Sequence, residues 1–166
     1  MLHTLAVAAI ALVPIRFGFS AASRLSVRRE TLSECADALK VIENGVRYSG
    51  KPLYELLHLC GGRRTRTLFE RLSADIRSGE NAGRALDAAV RDGMLDALLP
   101  SDRQVFQALF SALGGSGREQ QLSGIAWADA RLAAQLAGAE EVVSRKARVY
   151  RTIGALAGAA AVIILI

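Results

Sequence analysis

The chain is short of the residues that do covalent chemistry. It has two cysteines, Cys35 and Cys60, and two histidines, His3 and His58, which form neither a CxxC pair nor a Cys/His array. That excludes the usual zinc spacings and a dithiol redox motif. No nucleophile motif or Ser/His/acid set is present. Glu140 and Glu141 are adjacent on a helical pattern, so they point to different faces. The run Gly114-Gly115-Ser116-Gly117-Arg118 lacks the Gly-Lys-Ser/Thr ending of a phosphate loop, and no strand precedes it. A helix-to-helix turn fits it better. No active site, metal or cofactor is expected. Aromatics make up 5% of the chain, so a core must be built from Leu, Ala, Val and Ile. β-branched residues are sparse and no alternating run lies between turn signals, which excludes strands. Both cysteines sit in apolar patterns and read as buried, reduced thiols, as suits a cytoplasmic domain.

What is present is charge in the middle and none at the ends. Met1 to Ile15 carries no formal charge, and neither does Thr152 to Ile166. A hydrocarbon core about 30 Å thick asks for about 20 helical residues, and fifteen give only about 22 Å. The first segment extends through Phe17 to Ser23, with Arg16 near enough to its end to snorkel. The second can borrow Tyr150 and Arg151 at the interface. Transmembrane segments are therefore expected at 1–23 and 152–166. A cleaved signal peptide fits the first poorly, because Met1-Leu2-His3 lacks Lys or Arg. A half-inserted tail is the alternative for the second. Arg24, Arg28 and Arg29 follow the first segment; Arg145, Lys146, Arg148 and Arg151 precede the second. Positive-inside then places 24–151 in the cytoplasm. The formal charge is +5, but without those seven residues and Arg16 the rest has 13 basic residues against 16 acidic ones. A middle of net charge about −3 argues against a general nucleic-acid binder.

The middle reads as a bundle of about six helices. Leu25, Leu32, Cys35, Leu39, Ile42 and Val46 make one apolar stripe over a helix ending near Asn44. Gly45 and Ser49-Gly50 mark its end. Pro52 opens a short helix to about Cys60, closed by Gly61-Gly62. A third helix spans about Thr65–Ser78, with Leu68, Phe69, Leu72 and Ile76 inward. A fourth spans about Ala82–Arg91, using Leu86, Ala89 and Val90. Ser101 with Gln104 has the spacing of a capping box and predicts the start of a fifth helix. It holds Val105, Phe106, Leu109 and Phe110. The sixth begins near Arg118 and meets no proline, so it can run into the tail as one rod. Its stripe is Leu122, Ile125, Leu132, Leu136, Ala139 and Val143. Asp129 falls at the edge of that stripe. Arg63, Arg64 and Arg66, after the Gly-Gly pair, could bind an anion, a lipid headgroup or an acidic partner; a solvated loop is the alternative.

Four motifs in order carry a resemblance. Gly18-Phe19-Ser20-Ala21-Ala22 stands near the first membrane exit. Val46-Arg47-Tyr48 is followed by Pro52-Leu53. Leu113-Gly114-Gly115-Ser116-Gly117-Arg118-Glu119-Gln120-Gln121 and Gly154-Ala155-Leu156-Ala157-Gly158 complete the set. In this order and spacing, with both apolar ends, the chain resembles the stage III sporulation protein AB family of endospore-forming bacteria, over nearly its whole length. Gly45 departs from the family's common Glu, and Gly117 from its common Asp, which would cap the last helix.

The resemblance implies a soluble domain similar to that of type II secretion F proteins. It also implies a place on the mother-cell side of the channel between mother cell and forespore. The expected role is a non-catalytic, membrane-anchored platform that docks a cytoplasmic secretion-type ATPase and other channel proteins, with a homo-oligomer compatible. Its motif residues Tyr48, Pro52, Leu53, Gly114, Ser116, Arg118 and Gln121, with Arg63, Arg64 and Arg66, are the candidate partner-binding set; packing roles compete with that. Arg16, Gly18, Phe19, Arg24, Arg148, Arg151, Gly154 and Gly158 are the candidate membrane set. A different class, a tethered anion- or nucleic-acid-binding module using Arg63, Arg64, Arg66 and Arg71, is weighed against it.

Overall fold

Helix α1 covers residues 24–44 of a computed structural model that describes residues 24–115 and 117–165. Thr31, Leu32, Cys35, Ala38, Leu39 and Ile42 are buried along it, at the three- and four-residue spacing of a single face. The helix does not stop at Asn44 as the glycine predicts. It widens into a π turn over Gly45–Ser49, ending at Gly50 in the left-handed region. The Ser49 hydroxyl donates to the Gly45 carbonyl at 2.8 Å. Gly45 is needed for space, since a Cβ there would overlap the buried Leu56 side chain.

The remaining helices follow the expected order. α2 is Leu53–His58, α3 Arg66–Arg77, α4 Ala82–Arg91, α5 Pro100–Leu113 and α6 Arg118–Leu165. α2 packs on α3, α3 on α4, and α4 on α5. No strand occurs among the described residues. α3 and α4 both end in a Schellman turn. After α3, the Glu80 amide donates to the Asp75 carbonyl and Gly79 to Ile76; after α4, Met94 donates to Ala89 and Gly93 to Val90. Gly79 and Gly93 take the positive φ this requires, 98° and 77°. The core is aliphatic with few rings: Leu57, Leu72, Leu86, Leu95, Leu109, Leu132, Ile125 and Phe110 are among its fully buried side chains. Ile76, Val90, Leu122 and Leu136 are only half-buried.

Residues Arg28–Ala137 form one compact unit, and the described part of a second comprises 24–27 and 138–165. Within the first, α1 supplies polar ties to two other helix starts. Four amides at a helix start lack intrahelical partners. At α3 they meet Glu34 from α1, whose carboxylate accepts from the Arg64 amide at 3.0 Å and the Thr65 amide at 2.9 Å. The Thr65 hydroxyl also donates to it at 2.8 Å. Gly62 leaves room for this carboxylate, because a Cβ there would lie 2.5 Å from the Glu34 carboxyl carbon.

The start of α5 corrects the sequence expectation. The capping acid is Asp102, not Gln104, and the helix begins at Pro100. Its carboxylate accepts from the Leu99 amide at 3.0 Å and takes Arg28 bidentately, with Nε at 2.7 Å and an Nη at 2.9 Å. The Asp102 side chain is fully buried and Arg28 is 14% exposed. Arg28 is therefore an internal ion-pair partner rather than a lipid-facing flank charge.

Among the described residues no helix is long and apolar enough to cross a membrane. Beyond Arg151, α6 continues for residues 152–165, about 21 Å of helix, short of a hydrocarbon core. The expected segment 1–23 lies outside the described residues, as do Arg16, Gly18 and Phe19.

Two outcomes check this packing. Asp102→Ala leaves the Arg28 guanidinium buried without a counter-charge, and should cost about 3–5 kcal/mol in denaturant unfolding. Arg28→Met with Asp102→Leu should recover most of that; equal loss in single and double variants would rule out the ion-pair account. Gly45→Ala should lower the unfolding free energy by about 1–3 kcal/mol through overpacking against Leu56, and Leu56→Ala should remove that clash in the double variant.

Candidate partner-binding site

The two family-like soluble motifs, about 70 residues apart in sequence, meet in space. A π turn spaces its backbone bonds more widely than an α-helix. Here the Arg47 carbonyl accepts instead from the Arg118 guanidinium, at the first residue of α6. The Gln121 side chain, one turn on, donates to the Leu113 carbonyl at the end of α5, at 3.2 Å. The Asn81 side chain caps α4 by accepting from the Gly83 amide at 2.9 Å. The same side chain approaches Gly114, where a Cβ would sit 2.9 Å from its nitrogen. Arg118 thus ties the start of α6 to the turn that ends α1, Gln121 braces the α5–α6 turn itself, and Gly114 lets that turn lie close to the start of α4.

The same junction presents Tyr48. The ring is 79% exposed, the highest among the exposed large apolar residues. Pro52 is exposed and Leu53 half-buried beside it in sequence. Ser116 lies outside the described residues. Gly117, free of any neighbour around its Cβ position, leaves space for the side chain that the family commonly has there.

The arginines after the Gly-Gly pair are not free. Arg63 and Arg64 both pair with Glu30, at 3.1 Å and 3.0 Å. Those two hydrogen bonds hold the Glu30 carboxyl below its ordinary value. Arg66 pairs with Glu70 at 2.8 Å. Arg71 reaches Asp92 at 2.6 Å and Asp75 at 3.5 Å, and the Asp92 hydrogen bond raises its pKa further. Each of these cations is already offset by a carboxylate of the chain itself.

Of the membrane set, Arg24 is exposed at the start of the described part of α1. Arg148, Arg151, Gly154 and Gly158 lie on the backbone of α6. Asp129 is exposed, at the edge its spacing predicts. Both cysteines are buried and unlinked. The Cys60 thiol donates to the Leu56 carbonyl at 3.1 Å. Burial pushes the Cys60 thiol up to about 11 and raises Cys35 further, with nearby negative charge adding to the latter. Neither is a nucleophile at neutral pH. Among the described residues no group of three His, Cys, Asp or Glu could hold a metal ion.

Sequence reasoning missed Glu34, Asp102 and the inward role of Arg28. Asp102 stands at the third helical position, a capping signal that the Ser101/Gln104 spacing masked.

Comparison with known proteins follows this geometry. The family model for stage III sporulation protein AB matches residues 3–166. A solved structure titled stage III sporulation protein AB (SpoIIIAB) superposes with a TM-score of 0.64 at 23% identity, covering 71% of this chain and 97% of its own. At that identity the likeness shows the fold. No curated protein matches the chain.

The thiols give a signed pH dependence. A folded value near 11 against an ordinary value near 9 for Cys60 means that stability present below pH 9 is lost as pH rises through about 11. Urea midpoints should fall over that window, and less steeply in a Cys35→Ala/Cys60→Ala variant. Parallel slopes in the two proteins would contradict the assignment. Iodoacetamide at pH 7.5 should label neither cysteine until the chain is unfolded.

Proposed function

The chain belongs to the stage III sporulation protein AB family, and from that premise we propose that it is a non-catalytic platform of the mother cell–forespore channel complex. It is anchored in the mother-cell membrane facing the forespore by segments 1–23 and 152–166. Its helical domain stays in the cytoplasm and docks a secretion-type ATPase and other channel subunits. The observation that carries this reading is the family match over residues 3–166, which spans the helical domain and both apolar ends. The meeting of the two soluble motifs at Arg47 and Arg118, next to the exposed Tyr48, supports that junction as the docking face.

The mechanism is geometric. An anchored domain is held near its partners, so the effective concentration of the contact rises and a modest affinity suffices. The anion- or nucleic-acid-binding alternative is disfavoured by one observation. Arg63, Arg64, Arg66 and Arg71, its proposed contacts, are each engaged by a carboxylate of the chain itself. Each pairing offsets the positive charge that a phosphate would meet there.

Affinity capture of the tagged full chain from detergent-solubilised sporulating cells tests the proposal. The ATPase and at least one further channel protein should co-purify in repeated captures. Their absence, with the bait recovered from the membrane fraction, would sink it.

A further inference from the structure

We propose that the junction of the π turn with the first turn of α6 binds an acidic segment of a partner protein. Tyr48 would supply the apolar contact, and Lys51 and Arg118 the charges. This rests on the platform reading above and names the chemistry of what docks there.

Three observations converge. The first is exposure. Tyr48 is 79% exposed on a turn that the Ser49 and Arg118 hydrogen bonds fix in place. An aromatic carried on a fixed turn, with apolar area to bury, is what interface anchors are made of. The second is charge. Most arginines of the helical unit meet a carboxylate, but Arg118 donates to a neutral carbonyl and has no ion pair among the described residues; neither does Lys51. Arg47 beside them is neutralised by Glu43 at 2.6 Å. Glu55 is the single acidic residue between positions 44 and 58. Two cations without an ion pair among the described residues therefore belong to the same junction as Tyr48: Lys51 three residues on in sequence, and Arg118 bonded to the preceding residue's carbonyl. The third is donor geometry. A guanidinium has five N–H donors. Arg118 spends one group on the Arg47 carbonyl, and a carboxylate can take those that remain.

The same charges select a protein over a phosphate backbone. A phosphate backbone is held by many cations, about 6–10 contacts in strongly salt-dependent binders, and here there are two, with Glu43, Glu55 and Glu119 near them in sequence. A segment with one or two carboxylates and an apolar side chain suits two cations and one ring.

A photo-crosslinking amino acid placed at Tyr48 of the full chain, in sporulating cells, tests this; a second probe sits at Trp127, 45% exposed on α6. Cross-linked peptides are sequenced by mass spectrometry. A recurring peptide with an excess of Asp and Glu is expected at Tyr48, with its yield at least fivefold lower in Lys51→Glu and in Arg118→Gln. Lys51 has no ion pair among the described residues, so Lys51→Glu tests the charge without touching the Arg118–Arg47 bond, and its thermal unfolding should stay close to that of the parent. The proposal is overturned by a neutral or basic peptide, a lipid adduct, a second copy of this chain, no capture at Tyr48, or unchanged yields in the charge variants. An acidic peptide from a protein other than the ATPase or a channel subunit would keep it and count against the platform reading. An ATPase captured only at Trp127 would do the reverse.

Discussion

The helical unit depends on α1 acting as a polar partner as well as an apolar face. Two helix starts, those of α3 and α5, lie against it, and each has backbone amides that no intrahelical carbonyl can reach. Glu34 satisfies those of α3 directly. At α5 the capping acid is local, Asp102, but it is fully buried, and Arg28 meets it with two hydrogen bonds that offset the cost of its burial. Hydrogen bonds to charged groups are directional, so these ties specify the rotation of α1 about its own axis. An aliphatic core of Leu and Ala, with few rings to interlock, specifies that rotation poorly by packing alone.

The same arrangement supports the functional reading. With α1 set by its carboxylate and guanidinium, its last turn is placed against the turn between α5 and α6. The Arg118 contact then converts two stretches of unrelated sequence into one surface. The proposed docking face needs no moving part and no titrating group; it needs only that the surface be displayed in one conformation near the membrane.

Much of the fold was legible because helix punctuation is local. Gly79 and Gly93, Pro52, and the glycine run after Leu113 announced helix ends within a residue or two, and the absence of a breaker after Arg118 announced α6. What escaped was long-range polar pairing. Nothing near Glu34 in sequence reveals that it caps a helix 31 residues on, and Arg28 looked like one of three flank arginines while its partner lay 74 residues away. Ser101 and Gln104 satisfied a pattern that Asp102 satisfies better once its buried partner is known. Of the candidate site, Tyr48, Arg118 and Gln121 were found through motif resemblance, and their meeting was not visible in the spacing. The arginines after Gly62 were read as candidate contacts, with a solvated loop as the alternative, and their pairing with Glu30 and Glu70 needed coordinates.

The Leu56 side chain fills the space above Gly45. The two positions are therefore coupled: a side chain at 45 asks for a smaller or re-oriented residue at 56, and the leucine at 56 asks for none at 45. A change at 45 alone meets resistance that a paired change escapes. The end of α1 and the start of α2 are in this sense a single position shared by two residues.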